Sequence, residues 1–140
     1  MSERPPLRAN VFPKLYYDDA PAAIDWLVRA FGFKKRLVVP GPDGTIRHAE
    51  LTLDGGVLFV GTSRPEQKCV SPRRLDGMSQ VLCIHVDDPA SHLARARAAG
   101  AGIDQELQLE SNGGSAYGAV DPEGNHWHFS DYLPGAFWTE

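Results

Sequence analysis

Three observations predict an α+β fold built from two copies of one βαβββ module. A helix-opening signal recurs, a turn recurs at the same spacing, and strand-like runs fill the rest of each copy. Asp18-Asp19 followed by Pro21 returns as Asp87-Asp88 followed by Pro89, and Gly55 in Leu53-Asp54-Gly55-Gly56 returns as Gly124 in Pro122-Glu123-Gly124-Asn125. Each landmark is displaced by the same 69 residues. A period that fills the chain only twice is too long for a solenoid. It fits two supersecondary units, each too small to bury its own face, which are expected to pair and to form a site between them.

Each element has its own local reason. Val11 to Tyr17 is strand-like, and Asp18 or Asp19 caps a helix with Pro21 in its first turn, where a missing N–H costs nothing. Ile24, Leu27, Val28 and Phe31 then recur on one helical face, and Gly32 ends the helix. A second strand over Lys35 to Val39 runs into Pro40-Gly41-Pro42-Asp43-Gly44, a dense turn signal. Ile46 to Leu53 and Val57 to Gly61 form a hairpin around Asp54-Gly55-Gly56. Residues 64–78 are polar, aperiodic and proline-containing, and read as a linker between a module at 10–63 and a module at 79–132 within a single 1–140 domain. The second copy runs Gln80 to Val86 (strand), Pro89 to Ala99 (helix, ending at Gly100), Gln105 to Glu110 (strand), then a hairpin of Ser115 to Val120 and His126 to Asp131.

Composition narrows the function. With 140 residues, 42% of them hydrophobic, the chain can bury one core. Its net charge of −4 and scattered basic residues give no stripe of the kind nucleic acid requires. No apolar run approaches the roughly 20 residues needed to span a bilayer. The charged, proline-containing N-terminus is unlike a signal peptide, so a cytoplasmic location without membrane association is expected. Cys69 and Cys83 are not expected to form a disulfide. Cys83, in an apolar strand with nothing beside it to lower its pKa, reads as a small buried residue rather than a nucleophile. His92, on the second helix, reads as exposed. Phe137 and Trp138 are expected to pack on the body of the protein or on a second chain.

The paired modules, the two Asp-Asp helix openings and the ending Tyr117-Gly118-Ala119-Val120-Asp121-Pro122-Glu123-Gly124-Asn125-His126-Trp127 together resemble the vicinal oxygen chelate superfamily of glyoxalases, bleomycin-resistance proteins and extradiol dioxygenases. The resemblance covers about Val11 to Tyr132 and implies a curved mixed sheet with a concave cleft. Strand alternation sorts the side chains around that cleft. Trp127 and Phe129 are assigned to the core, and His126 and His128 to the cleft. The same rule sends His48 and Glu50 there, with Cys83 and His85, and with Phe12, Lys14 and Tyr16. Phe59, displaced from His128 by the repeat spacing, and Tyr117 complete the candidate ligand-binding set.

In metal-dependent relatives a divalent ion is held by one ligand on the first and last strand of each module. Here those places fall near Phe12, Phe59, Val81 and His128. Phenylalanine and valine carry no lone pair, and one histidine is too few donors, so no metal and no other cofactor is expected. The resemblance therefore points to a ligand-sequestering protein of the bleomycin-resistance kind, with a flat or cationic ligand. The alternative is a lyase or dioxygenase-type enzyme. It would use Glu50 and His128 as an acid–base pair, or a displaced metal site drawn from His48, Glu50, His126 and His128. A homodimer is expected, because exposed sheet edges and apolar rims invite cover.

Overall fold

The computed structural model describes residues 10–133, and Phe137 and Trp138 lie outside them. The order is β1 (Lys14–Tyr17), α1 (Ala20–Phe31), β2 (Lys34–Pro40), β3 (Ile46–Leu53), β4 (Gly56–Thr62), then β5 (Leu82–His85), α2 (Pro89–Ala98), β6 (Gly102–Leu109), β7 (Ser115–Val120) and β8 (His126–Ser130). The βαβββ order is thus present twice. Two of the expected strands are shorter than their alternation suggests, since Val11–Pro13 and Gln80–Val81 precede the paired segments. The polar stretch between modules carries two short 3-10 turns, Pro65–Gln67 and Pro72–Arg74.

Both helices begin as their sequences dictate. The Asp19 carboxylate accepts the Ala22 N–H at 3.2 Å, and the Asp88 carboxylate accepts that of Ser91 at the same distance. Gly32, at φ 85°, closes α1 in the left-handed region that a side chain disfavours.

Two four-stranded mixed sheets result, ordered β1-β4-β3-β2 and β5-β8-β7-β6, with β1 parallel to β4 and β5 parallel to β8. Their registers correspond: Lys14 and Glu50 flank Phe59 in the first sheet, as Cys83 and Gly118 flank His128 in the second. The outer strands correspond as well. Each pairing carries two register breaks, the first one residue long, at Arg36 in β2 and at Asp104 in β6.

The chain divides into two compact units, 10–28 with 32–71, and 29–31 with 72–133. In the first, Leu15, Tyr17, Ala49, Leu51, Leu58 and Val60 form the buried sheet face. In the second, Trp127, Phe129 and Tyr117 are buried together with Phe31 from the last turn of α1, ring centroids lying 4.7 Å apart for Phe31 and Phe129 and 5.2 Å for Phe31 and Trp127. Aromatic clusters of this kind carry a large share of core energy.

The Asp121–Asn125 turn is a structural device. Buried Asp121 accepts the N–H groups of Glu123 and Asn125 through Oδ1, each at 3.0 Å, and the Asn125 amide and Trp127 indole N–H through Oδ2, each at 3.1 Å. Gly124 supplies the positive φ, 102°, that closes the loop. One carboxylate thereby fixes both the hairpin and the largest core side chain.

Candidate functional site

Each sheet has a buried face and an open face, and most of the residues singled out from sequence lie on the open ones. On the first sheet, Phe59 stands between Lys14 and Glu50 across the strands. Phe12, just ahead of β1, stacks on it with centroids 5.6 Å apart, and His48 meets it edge-on at 4.8 Å. Tyr16 lies beneath two cations, with Lys14 Nζ 5.6 Å and Arg64 Cζ 5.8 Å from its ring centroid. Glu50 is held from both sides: Oε2 lies 3.0 Å from His48 Nε2, and Oε1 accepts Arg36 Nε–H at 3.0 Å. The His48 hydrogen bond, and after it Arg36, hold the Glu50 carboxyl below the usual carboxylate range against the opposing cost of burial.

On the second sheet, His128 occupies the place of Phe59 and Cys83 that of Lys14. His128 Nε2 lies 3.2 Å from Glu110 Oε1, and His126 Nδ1 lies 3.0 Å from Asp104 Oδ2. A cavity of about 340 Å³ is lined by Cys83, His85, Asn112, His128, Ser130 and Tyr132. His85 sits at its edge, 3.9 Å from Asp87.

Three sequence assignments change. Tyr117 is not on the open face: it is fully buried beside Phe129, on the side covered by α2. It lies one residue out of phase with Ala116 and Gly118, which pair opposite Ser130 and His128, so strand alternation itself places it in the core. Cys83 is exposed rather than buried, because the pleat turns it to the open face beside His128. His92 is half buried rather than exposed. Its Nε2–H donates to the Phe31 carbonyl at 2.8 Å, which leaves Nδ1 to accept the Tyr117 hydroxyl proton. Burial lowers the His92 pKa below its ordinary value and raises that of Tyr117 above the phenol range, so both stay neutral near pH 7.

The partners missed from sequence are Arg36, Asp104 and Glu110. Arg36 and Asp104 are the bulged residues of the two outer strands. A bulge turns an extra side chain out of the alternation, and each of these two reaches the open face to pair with an opposite charge or an imidazole. Gly118 permits the second of these contacts, since a Cβ there would stand 2.5 Å from Asp104 Oδ1. No strand period reveals a bulge in advance. Glu110 did stand at the end of an expected strand, and its acidic side chain was the available signal.

At the four positions corresponding to the metal-dependent relatives' ligands, Phe12 and Phe59 stack on each other, Val81 is about half exposed and His128 is joined to Glu110. Among the described residues, no three His, Cys, Asp or Glu side chains gather into a group able to hold a metal ion.

A family model, the Glyoxalase/Bleomycin resistance protein/Dioxygenase superfamily, matches residues 10–129. The chain is 36% identical over 119 residues to the uncharacterized protein Rv0887c of Mycobacterium tuberculosis (strain H37Rv), covering 82% of this chain and 69% of that one. Among solved structures it resembles TioX from Micromonospora sp. ML1, with 38% identity, a TM-score of 0.71, and coverage of 89% of this chain and 99% of TioX. It also resembles the fosfomycin resistance protein FosX from Listeria monocytogenes, solved with Mn(II) and a dihydroxypropylphosphonic acid. That match has a TM-score of 0.68, covers 91% of this chain and 92% of FosX, and at 10% identity shows the fold alone. With its paired modules and this family match, the chain belongs to the glyoxalase, bleomycin-resistance and dioxygenase superfamily.

Proposed function

We propose that this chain, acting as a single domain of two modules, binds a small, flat molecule on its open sheet faces and dispenses with the divalent ion of its metal-dependent relatives. The observation that carries this reading is the chemistry at the four ligand positions. Three are hydrocarbon, two of them packed together as a ring stack, and the fourth is an imidazole engaged by Glu110. Even with Glu110 added the donors number two, short of the three or four that a divalent ion needs in protein. Phe12, Tyr16 and Phe59 offer faces on which a planar ligand can stack. Glu50 contributes little toward a cationic ligand, because Arg36 already meets its charge.

Metal analysis of untagged protein and thermal titration with zinc, nickel, manganese and ferrous ions test the reading. Binding to the folded state adds RT ln(1 + [L]/Kd), about 2.7 kcal/mol at a hundredfold excess over Kd. The expected outcome is no bound metal and no shift. A shift that vanishes in Glu50→Gln or His128→Ala would establish a displaced metal site and overturn the proposal.

One observation favours an enzyme as the second reading. Glu110 holds His128 at the wall of a cavity that also contains Cys83, the arrangement of a general base with an orienting carboxylate. Turnover that is lost in His128→Ala while the fold is kept would select it.

The chain is further proposed to form a homodimer. The outer strands expose Leu37 and Val38 on β2 and Leu107 and Leu109 on β6, apolar edges that a second copy would cover. A sedimentation mass of one chain at micromolar concentration excludes this.

A further inference from the structure

Apart from the open faces, the first unit holds a cavity of about 230 Å³ between the β2–β3 connection and the end of β4. Its walls include Arg47 and Arg64 together with the hydroxyl side chains Thr45, Thr62 and Ser63. We propose that this cavity binds an oxyanion group, a carboxylate or phosphate carried on a small molecule.

The wall leaves part of its hydrogen-bonding capacity unused. Ser63 donates its proton to Asp18 at 2.6 Å, and Thr45 donates its own to the Pro42 carbonyl at 2.6 Å. Thr62 is oriented the other way: its oxygen accepts the Ile46 N–H at 2.8 Å, so its hydroxyl proton remains to be given, and no described residue takes it. The guanidinium groups of Arg47 and Arg64 likewise have no carboxylate partner among the described residues. Arg64 Cζ lies over the Tyr16 ring, 5.8 Å from its centroid. The spare donors among the lining residues are therefore the Thr62 hydroxyl and the two guanidinium groups, which are permanently cationic and shaped for bidentate oxyanion contact, while the Ser63 and Thr45 oxygens keep only acceptor capacity.

The surrounding charge agrees. Lys14 lies beside Tyr16, and the Asp18 carboxylate accepts the Ser63 hydroxyl proton. The loop that forms the wall depends on Gly41, since a Cβ there would stand 2.5 Å from Thr45 Oγ1. The volume suits a small acid or phosphate ester rather than a large ligand. The inference does not depend on the absence of a metal.

The test is a titration of 15N-labelled full-length protein with inorganic phosphate and separately with acetate, the ionic strength being held constant with chloride. Saturable shifts are expected at the amides of Ile46, Ser63 and Arg64. Arg47→Gln and Arg64→Gln should each weaken binding by about tenfold, the usual effect of one hydrogen bond to a charged group. Lys34→Gln, elsewhere on the first unit's surface, should leave it unchanged. Tighter phosphate binding would indicate a phosphate ester and tighter acetate binding a carboxylate, and either supports the site. Three results overturn it: no saturation below about 10 mM, an equal response to chloride, or unchanged affinity in the double arginine variant. Should that variant fail to fold, the wild-type amide shifts decide alone.

Discussion

The two modules share a backbone plan down to the bulge in each outer strand, yet they use it for opposite chemistry. In the first, the bulge sends a cation, Arg36, onto a carboxylate, Glu50. In the second it sends a carboxylate, Asp104, toward an imidazole, His126. Phe59 in the first copy is His128 in the second, Glu50 is Gly118, and Lys14 is Cys83. The helix sides differ too. The buried face of α1 is apolar, with Ile24, Leu27 and Phe31, whereas α2 buries Leu93 and Ala96 beside the hydrogen-bonded His92 and Tyr117. The lesson is that the register of the inner strands and the first bulge of each outer strand persist in both copies, while the side chains set on that frame vary independently.

The contrast between buried and open faces breaks most sharply in β8. Trp127→Ala is expected to cost about 3–5 kcal/mol, as large aromatic truncations in cores do, and it also removes a hydrogen bond to Asp121 Oδ2, which keeps that from the Asn125 amide. His128→Ala, one residue on, should leave the denaturation midpoint nearly unchanged. Equal losses in chemical denaturation would overturn the assignment of faces.

Next in size is the polar contact under α2. Tyr117→Phe removes the donor to His92 Nδ1 and leaves a half-buried acceptor unsatisfied, at a cost of about 1–3 kcal/mol.

Acid sharpens the same comparison. His92 has a folded pKa below its ordinary 6.5, so the stability tied to its neutral form is complete above that pH and is lost as pH falls through the folded value. Glu50 also has a lowered pKa, but from 4.5, so its contribution persists to more acid conditions and fades as pH falls through its own folded value. Urea denaturation from pH 7 to pH 3 should therefore weaken His92-dependent stability first. The difference between wild type and His92→Gln should shrink below pH 6.5, while that between wild type and Glu50→Gln should hold until below pH 4.5.

The smallest effects belong to the bulge contacts. Glu50→Gln and Gly118→Ala, which disturb the Arg36 and Asp104 pairings respectively, should each cost no more than about 1 kcal/mol, since Arg36 is mostly and Asp104 partly exposed to solvent. A larger loss for Gly118→Ala would mean that Asp104 cannot swing aside and that the β6 backbone must move instead.

Much of the fold was legible because its signals are short-range. Asp19 and Asp88 cap the helices they precede, Gly32 ends the first, and the Asp121–Asn125 turn announces the last hairpin. Each works through bonds within a few residues, so sequence spacing carries the information. Alternation also placed Trp127, Phe129, Glu50 and His128 on their faces, because a strand's pleat has a fixed period. The partners of those side chains were not legible. Arg36 meets Glu50 and Asp104 meets His126 only because a bulge breaks the period of the outer strands β2 and β6. His92 meets Tyr117 only because a helix crosses a strand 25 residues away in sequence. Sequence by itself determined the two-copy α+β plan, its helix caps and turns, and which strand residues share a face. The tertiary structure decided which charge meets which, that His92 pairs with Tyr117, and that Arg47 and Arg64 line one cavity, because those outcomes depend on bulges and on packing between separate elements, which no local pattern encodes.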